Sequence, residues 1–206
     1  MTTQWNDLSV SINFPADIQC SQPSPEKTRI DLTWEKVDCE KPELEIKWSL
    51  PLWDIQTMWH PKAGKNRALL ADWDDPLYAN LSNGAPVYCF MNQSGRSRLT
   101  LALSDAVTRI GHCYGVHEED ATLICRIIVP MDVVRSASSY SLTLMRITED
   151  LPYEETLRRV SRWWETECGL VPMPVPDIAR MPLYSTWYSF HQQTIAKDME
   201  IGRAHV

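Results

Sequence analysis

The sequence predicts a mainly β chain, an antiparallel β-sandwich followed by a connecting helix and the beginning of another domain. In seven segments, hydrophobic residues alternate with polar ones, which is typical of strands buried on one face. Turn-forming runs such as Ser82-Asn-Gly84 and Asn92-Gln-Ser-Gly95 separate several of these segments. Because strands with one apolar face must cover it against another layer, many short strands of this kind predict two sheets packed face to face.

Each of the seven predicted strands places a hydrophobic residue at every second position or in a short apolar run. These residues are expected to point into the core. They are Leu8, Val10, Ile12 and Phe14; Ile30, Leu32 and Trp34; Leu44, Ile46, Trp48 and Leu50; Val87 to Phe90; Leu99, Leu101 and Leu103; Leu123, Cys125, Ile127 and Val129; and Tyr140, Leu142 and Leu144.

One segment after the last predicted strand changes to helical spacing, and it predicts a helix over residues 151–167. Asp150 is the expected N-cap, and Pro152 is expected in the first turn. Cys168-Gly169 is the expected end of the helix. The apolar residues that recur at helical spacing are Tyr153, Leu157, Val160 and Trp164.

A proline-rich run after this helix predicts a domain boundary. Val171-Pro-Met-Pro-Val-Pro176 cannot continue a helix or enter the interior of a sheet, because proline lacks a backbone N–H. We therefore expect a sandwich domain over residues 1–150, a connecting helix and linker over 151–180, and a further domain that begins at 181.

Charge and composition argue against nucleic acid and membrane partners. The 206-residue chain has 27 acidic and 20 basic side chains, a formal net charge of −7, and no basic run. The N-terminal residues lack the basic and apolar regions of a signal peptide, and no window approaches the ~20 apolar residues of a membrane-spanning helix. These features predict a cytoplasmic chain.

The sequence contains no recognised metal, phosphate or nucleophile motif, so no cofactor is expected. Its six cysteines form no CxxC pair and are expected to be free, although an even number also permits disulfides. His112, Cys113 and His117 have the chemistry of metal ligands without a recognised ligand spacing. The acids at residues 72–75 and 118–120 are expected to form a solvated face, or to bond the backbone of their turns, rather than to act as a catalytic pair.

Four motifs occur in the order found in a known enzyme family. They are Met58-Trp-His-Pro61, Gly64-Lys-Asn-Arg-Ala-Leu-Leu-Ala-Asp-Trp73, Gly115-Val-His-Glu-Glu-Asp120 and Tyr184-Ser-Thr-Trp-Tyr-Ser-Phe190. Together they resemble the N-terminal region of family 36 glycoside hydrolases, the α-galactosidases. The similarity extends over most of residues 40–192, and the last motif, at the start of a barrel, is the most specific.

This resemblance implies a large N-terminal β-sandwich, a catalytic (β/α)8 barrel and a C-terminal β-domain. The chain would hold the first of these and, over residues 181–200, the start of the second. The family hydrolyses terminal α-linked galactose with retention, using two aspartates ~5 Å apart. Both come from later barrel strands, so the chain is expected to be inactive alone. The resemblance also implies α-galactoside oligosaccharides as ligands of the full-length enzyme, and a homo-oligomer.

The loop from Trp53-Asp54 to Asp72-Trp73 is the predicted functional segment, because it is long and rich in aromatic residues. In the family, a loop of this domain places a tryptophan against the terminal galactose. Trp59 is the first candidate for this contact and Trp73 is the second, since an indole face can stack on a sugar ring. The polar residues expected to assist are Asp54, Lys65 and Arg67.

Structural alternatives stay open for each of these site residues. Trp59 could instead anchor its loop to the sandwich, and Asp54 and Arg67 could instead form local ion pairs. Trp187 could line the floor of the barrel near the sugar or pack inside the barrel.

A competing function is a stand-alone carbohydrate-binding or assembly module without catalysis. The apolar segment after the proline linker favours the enzyme, because an isolated module would leave it exposed. The last six residues, 201–206, are expected to be non-native. One reverse translation of them, ATC GGA AGA GCA CAC GTC, matches part of a common sequencing adapter.

Overall fold

The computed structural model describes residues 1–132, 137–182 and 195–197. The chain divides into two units, Met1–Leu170 and Val171–Val206.

In the second unit, Val171–Pro176 has neither helix nor strand, and Asp177–Arg180 forms one turn of 3₁₀ helix. The segment from Tyr184 to Phe190 that predicts a barrel, including Trp187, lies outside the described residues. The C-terminal run 201–206 also lies outside them.

The first unit contains two sheets built from short strands. In chain order the strands are β1 (Thr2–Trp5), β2 (Leu8–Ile12), β3 (Asp17–Ser24), β4 (Lys27–Thr33), β5 (Glu43–Pro51), β6 (Thr57–Trp59), β7 (Leu70–Ala71), β8 (Leu77–Ala79), β9 (Val87–Met91), β10 (Arg96–Leu103), β11 (Ile110–His117), β12 (Thr122–Pro130), β13 (Ser139–Ile147) and β14 (Leu151–Pro152).

Sheet I has the spatial order β1-β2-β5-β12-β11-β7, and β8 also pairs with β11. Sheet II has the order β3-β4-β13-β10-β9-β6, and β14 also pairs with β10. Strand β7 runs parallel to β11, whereas the other described pairs are antiparallel. The predicted sandwich-like, mainly β architecture is therefore confirmed.

The core lies between the two sheets and is formed by the residues that alternation predicts to point inward. Leu8, Ile30, Ile46 and Leu123 have no exposed surface, and their strand neighbours at every second position are also buried. Full burial of each such side chain stabilises the fold by about 1.5–3 kcal/mol relative to an exposed side chain. One continuous cluster of these residues joins sheets I and II.

The predicted long loop between Trp53 and Trp73 is wrong in one respect, because it contains two short strands. Strand β6 pairs with β9 at the edge of sheet II, and β7 pairs with β11 at the edge of sheet I. The segment therefore joins one sheet to the other, which gives each of its parts a fixed position.

The predicted helix forms as α1, Tyr153–Thr166, and begins later than expected. Pro152 occupies the N-cap position and Asp150 makes no capping bond, so the predicted capping role of Asp150 is wrong. Its carboxylate pairs instead with Arg96 and Arg98 of β10, and this charge pairing outcompetes the cap.

Helix α1 packs on the outer face of sheet II. Val160 and Trp163 are buried there against Val87, Ala102 and Ile147. The helix therefore shares a second apolar cluster with the sandwich and belongs to the same unit.

A buried hydroxyl network also joins α1 to sheet II. Thr156 Oγ1 accepts a hydrogen bond from Thr100 Oγ1 at 2.9 Å and donates one to the carbonyl of Tyr153 at 2.7 Å. Thr100 Oγ1 also lies 3.3 Å from the thiol of Cys89. These bonds fix the first turn of the helix over one position of the sheet.

Replacing Thr156 by valine is expected to lower the free energy of unfolding by about 1 kcal/mol, because the isosteric methyl group cannot make these bonds. Chemical denaturation measures the change. Thr166→Val is the matched control, since the exposed Thr166 hydroxyl bonds only the carbonyl of Arg162 within the helix, and its effect should stay within about 0.5 kcal/mol. Equal effects of the two substitutions would contradict a role for the network.

All six cysteines are free, as expected. Burial raises the pKa of the Cys125 thiol far above its usual range, so this sulfur behaves as a core hydrophobe. Among the described residues, no helix has both the length and the hydropathy to cross a membrane.

Candidate functional site

Two exposed tryptophans lie at one end of sheet I. Strand β5 stops at Pro51, which pairs with Thr122, and Thr122 pairs in turn with His117 at the end of β11. Because Ala71 pairs with Val116, the chain leaves β7 at this same end. We call this end the rim and define it by Trp53, Asp72, Trp73, His117 and Asp120.

The strands that lead to Trp53 and Trp73 are three strand intervals apart in sheet I. Trp53 follows β5 by two residues, Trp73 follows β7 by two residues, and β12 and β11 lie between them. Neighbouring strands lie about 4.8 Å apart, so the ends of β5 and β7 are separated by about 14 Å. The exposed fractions are 78% for Trp53 and 74% for Trp73.

Polar side chains of the rim lie around Asp72, which precedes Trp73 in the chain. His117 Nδ1 is 3.0 Å from Asp120 Oδ1, and His117 Nε2 is 4.0 Å from Asp72 Oδ2. Thr122 donates a hydrogen bond to Asp120 at 2.7 Å. The side chains of Asp72, His117 and Asp120 also line part of a groove of about 350 Å³ on the outer face of sheet I, together with Lys47 and Arg126.

The carboxylates on either side of His117 change its acid–base properties. The hydrogen bond with Asp120 raises the pKa of His117, and the charges of Asp120, Asp72 and Glu119 add to this effect. The bonds from Thr122 and His117 lower the pKa of Asp120. The rim therefore presents an ionised carboxylate and a more basic imidazole, both able to bond hydroxyl groups.

Replacing Asp120 by asparagine is expected to lower the pKa of His117, since the largest cause of its increase is removed. Titration of the His117 ring protons by NMR measures the change. Glu118→Gln is the control, because it also removes one negative charge, at the position next to His117. It should lower the pKa of His117 less than Asp120→Asn does. If the two variants titrate alike, Asp120 is not the specific partner of His117.

The position of Trp73 depends on a glycine in β11. A Cβ atom at Gly115 would lie 2.3 Å from the carbonyl oxygen of Ala71 and from Asp72 Cα. The absence of this atom allows β7 to lie against the strand. Asp74 then accepts a hydrogen bond from the N–H of Ala71 at 3.0 Å, which confirms the prediction of backbone-bonding acids in this turn.

Trp53 is held by a network of charged residues. Asp54 has a left-handed backbone with φ of 56° and pairs with Arg98 of β10, and Asn92 donates to the same carboxylate at 3.3 Å. Arg98 also pairs with Asp150 at 3.0 Å. The Arg98 guanidinium lies 5.6 Å from the centre of the Trp53 ring. Asp54 therefore has the local ion pair that was the structural alternative to sugar contact.

Trp59 and Arg67 lie together beside the start of helix α1. The Trp59 ring is 6.2 Å from that of Tyr153, and the guanidinium of Arg67 is 6.0 Å from the same tyrosine ring. Trp59 is half-buried and packs against the outer cluster of sheet II. The loop between them closes where Met58 N–H donates to the carbonyl of Arg67 at 3.0 Å. This packing favours the anchoring alternative for Trp59.

Of the predicted site residues, Trp73 lies at the rim, and Asp54 pairs with Arg98 beneath the rim residue Trp53. Trp59 and Arg67 lie away from the rim, beside Tyr153 at the start of α1. Lys65 is exposed in the loop between them, and Trp187 lies outside the described residues. Sequence reasoning named Trp53 only as the start of the loop and considered His117 only as a metal ligand, so neither was a candidate for sugar contact. Their spacing in the sequence carries no signal, because the pairing of β5, β12 and β11 is what brings them to one end.

No family model matches the chain, and no curated protein matches it. The resemblance to family 36 glycoside hydrolases therefore rests on the four motifs. Two of these motifs meet at the rim, since Asp72 and Trp73 end one and His117 and Asp120 belong to another. Within the described ranges, no group of three or more His, Cys, Asp or Glu side chains is placed to hold a metal ion.

Proposed function

We propose that this chain is the N-terminal sandwich of an α-galactosidase-like glycoside hydrolase of the cytoplasm. The rim contributes one wall of a sugar site, and a catalytic barrel completes that site. The single observation that carries the proposal is the exposed Trp73, which directly follows Asp72 at a cluster that Asp72 forms with His117 and Asp120. The order of sandwich, packed helix and proline-rich segment supports it, as do the free cysteines, which suit a reducing compartment.

Trp73 suits the sugar contact better than Trp59. Galactose has one apolar ring face, which stacks on an exposed indole, and a set of hydroxyl groups, which need hydrogen-bond partners. Trp73 offers an open indole face with carboxylates and an imidazole nearby. The ring of Trp59 is in contact with Tyr153 and the outer cluster, so it stabilises the loop that leads to the rim.

The rim acids support binding rather than hydrolysis. A retaining glycosidase needs a general acid whose pKa is raised, beside a carboxylate nucleophile. Asp120 has a lowered pKa, which is the opposite of what a general acid requires. In this proposal the catalytic pair comes from barrel strands that follow the sandwich.

The test is to read the source gene past the codon for Met199 and to assay both products on p-nitrophenyl α-galactoside. We expect no hydrolysis by the 206-residue chain, and hydrolysis by a longer product with acidic residues at its barrel strand ends. Hydrolysis by the 206-residue chain would overturn the proposal. A source gene without a barrel, with tight galactoside binding by the chain alone, would establish the stand-alone binding module instead.

A further inference from the structure

The indole of Trp53 is in contact with a cation and is largely exposed to solvent. The Arg98 guanidinium lies over the ring, and its carboxylate partners Asp54 and Asp150 hold it in place. Arg98 is itself only 24% exposed at the side chain, whereas Trp53 is 78% exposed. A cation on one face restrains the ring and leaves the opposite face free for a second stacking partner.

The residue after Trp53 has a strained backbone that is stabilised by a network of polar side chains. Asp54 adopts a left-handed backbone, a conformation that costs free energy for a residue other than glycine. The bonds from Arg98 and Asn92 to the Asp54 carboxylate offset this cost. The effect of the arrangement is to project the neighbouring indole from the end of β5.

Trp53 and Trp73 lie on the same rim, with His117 and Thr122 on the strands between them. The ends of their strands are about 14 Å apart by strand spacing, which exceeds the size of one pyranose ring. Two stacking faces with hydrogen-bonding groups between them fit a ligand made of several linked sugar rings. A single galactose could contact only one of the indoles.

We propose that Trp53 is a second sugar-stacking residue, and that the rim binds an α-galactoside oligosaccharide with its galactose at Trp73 and a later ring at Trp53. This inference rests on the proposed function and adds a second binding residue to it. Linking two weak contacts through one ligand makes the second contact intramolecular. The rim therefore binds a trisaccharide more tightly than a monosaccharide that carries the same galactose.

The experiment uses the 206-residue chain and two ligands, methyl α-galactoside and raffinose, a trisaccharide that ends in α-linked galactose. Indole N–H resonances in NMR spectra report each tryptophan separately and detect weak binding. Trp53→Phe and Trp73→Phe assign the two rim resonances by their loss. Trp163 serves as an internal control, because its ring is buried beneath helix α1.

We expect raffinose to shift the resonances of both Trp53 and Trp73, and methyl α-galactoside to shift that of Trp73 alone. In Trp53→Ala, the Kd for raffinose should rise about tenfold, while the Kd for methyl α-galactoside stays unchanged. The exposed position of Trp53 means that this variant keeps the fold, which its remaining indole resonances verify.

The other outcomes separate the inference from the proposed function. If raffinose shifts only Trp73, or Trp53→Ala leaves the raffinose Kd unchanged, the second stacking role is overturned and the galactose contact stands. If methyl α-galactoside shifts Trp53 as much as Trp73, the assignment of one galactose to Trp73 is overturned. If neither ligand shifts either rim indole, the sugar contact in the proposed function fails, and the inference fails with it.

Discussion

Acidification from pH 7 to pH 5 is expected to lower the free energy of unfolding by about 2 kcal/mol, because His112 must stay neutral in the folded protein. This side chain lies on β11 and points into the core, where 1% of its surface is exposed. Burial, with a contribution from the charge of His60, lowers its pKa from 6.5 to about 3. Between pH 7 and pH 5, His112 therefore binds a proton in the unfolded chain and stays neutral in the folded protein.

The aromatic surroundings of His112 explain why a proton is excluded. Its ring centre lies 4.5 Å from that of Tyr88, and its Nδ1 is 2.9 Å from the hydroxyl of Tyr114. Its Nε2 has no hydrogen-bond partner among the described residues. Tyr88 also stacks on His60, whose pKa is lowered by burial and by Lys62. A charged imidazole would have no carboxylate in this cluster to stabilise it.

Acidification destabilises the fold because the pKa of His112 is lower in the folded protein than in the unfolded chain. The contribution of His112 is fully present above the unfolded pKa of 6.5 and is lost as the pH falls toward about 3. The lowered pKa of His60 acts in the same direction, whereas the raised pKa of His117 opposes the loss. Carboxylates with lowered pKa values, such as Asp105 and Asp150, contribute losses in a more acidic range, so the interval from pH 7 to pH 5 isolates the histidines.

Urea denaturation at several pH values between 7 and 5 measures this loss. His112→Gln should flatten the pH dependence, because glutamine does not titrate. His117→Gln should keep the loss or steepen it, because the raised pKa of His117 stabilises the fold on acidification. In NMR spectra of the folded protein, His112 should stay neutral across this interval while His117 becomes protonated. A His112 ring that titrates near its ordinary pKa in the folded state would contradict the argument.

The strands that could be predicted are those that bury one face. In β2, β4 and β5, inward and outward residues alternate, and the structure buries the expected ones. Strand β11 was not predicted because its first six residues are all buried. Its outer side is covered by Tyr78 at Gly111 and by the Ala71–Asp72 segment at Gly115. Alternation disappears when both faces are covered.

The edge strand β3 was not predicted because it buries too little, rather than too much, of its surface. Strand β3, Asp17–Ser24, has no fully buried residue, includes Pro23 and has an irregular register between Ser21 and Ser24. Such features protect a sheet edge from pairing with another chain. They also remove the apolar period on which a prediction depends, so pairing with β4 alone identifies the segment as a strand.

Residues of the candidate site could be predicted only where they belong to a recognised sequence motif. Trp73 is a candidate through its motif, but the proximity of its neighbour Asp72 to His117 depends on the pairing of β7 with β11. Trp59 was preferred although its sequence spacing could not show the contact with Tyr153. The capping prediction for Asp150 failed because local propensity takes no account of Arg96 and Arg98, which reach it from another strand.

Gly115→Ala is expected to lower the free energy of unfolding by about 3 kcal/mol, since the added methyl group overlaps backbone atoms that cannot move independently. The new Cβ would lie 2.3 Å from the carbonyl oxygen of Ala71 and from Asp72 Cα. Relief requires β7 to move away from β11. That movement breaks the 3.3 Å bond from Asp72 N–H to the carbonyl of Val116 and displaces Trp73 from the rim.

Gly111→Ala is the matched control, because it adds the same atom to the same strand. There the nearest atoms belong to the ring of Tyr78, at 3.1 Å, and a side chain at the edge of the sheet can shift. Its cost should stay near 1 kcal/mol. Denaturation compares the two stabilities, while the indole resonance of Trp73 should move in Gly115→Ala alone. Equal costs and an unmoved Trp73 would show that β7 does not depend on Gly115, and that the rim is positioned by its turn alone.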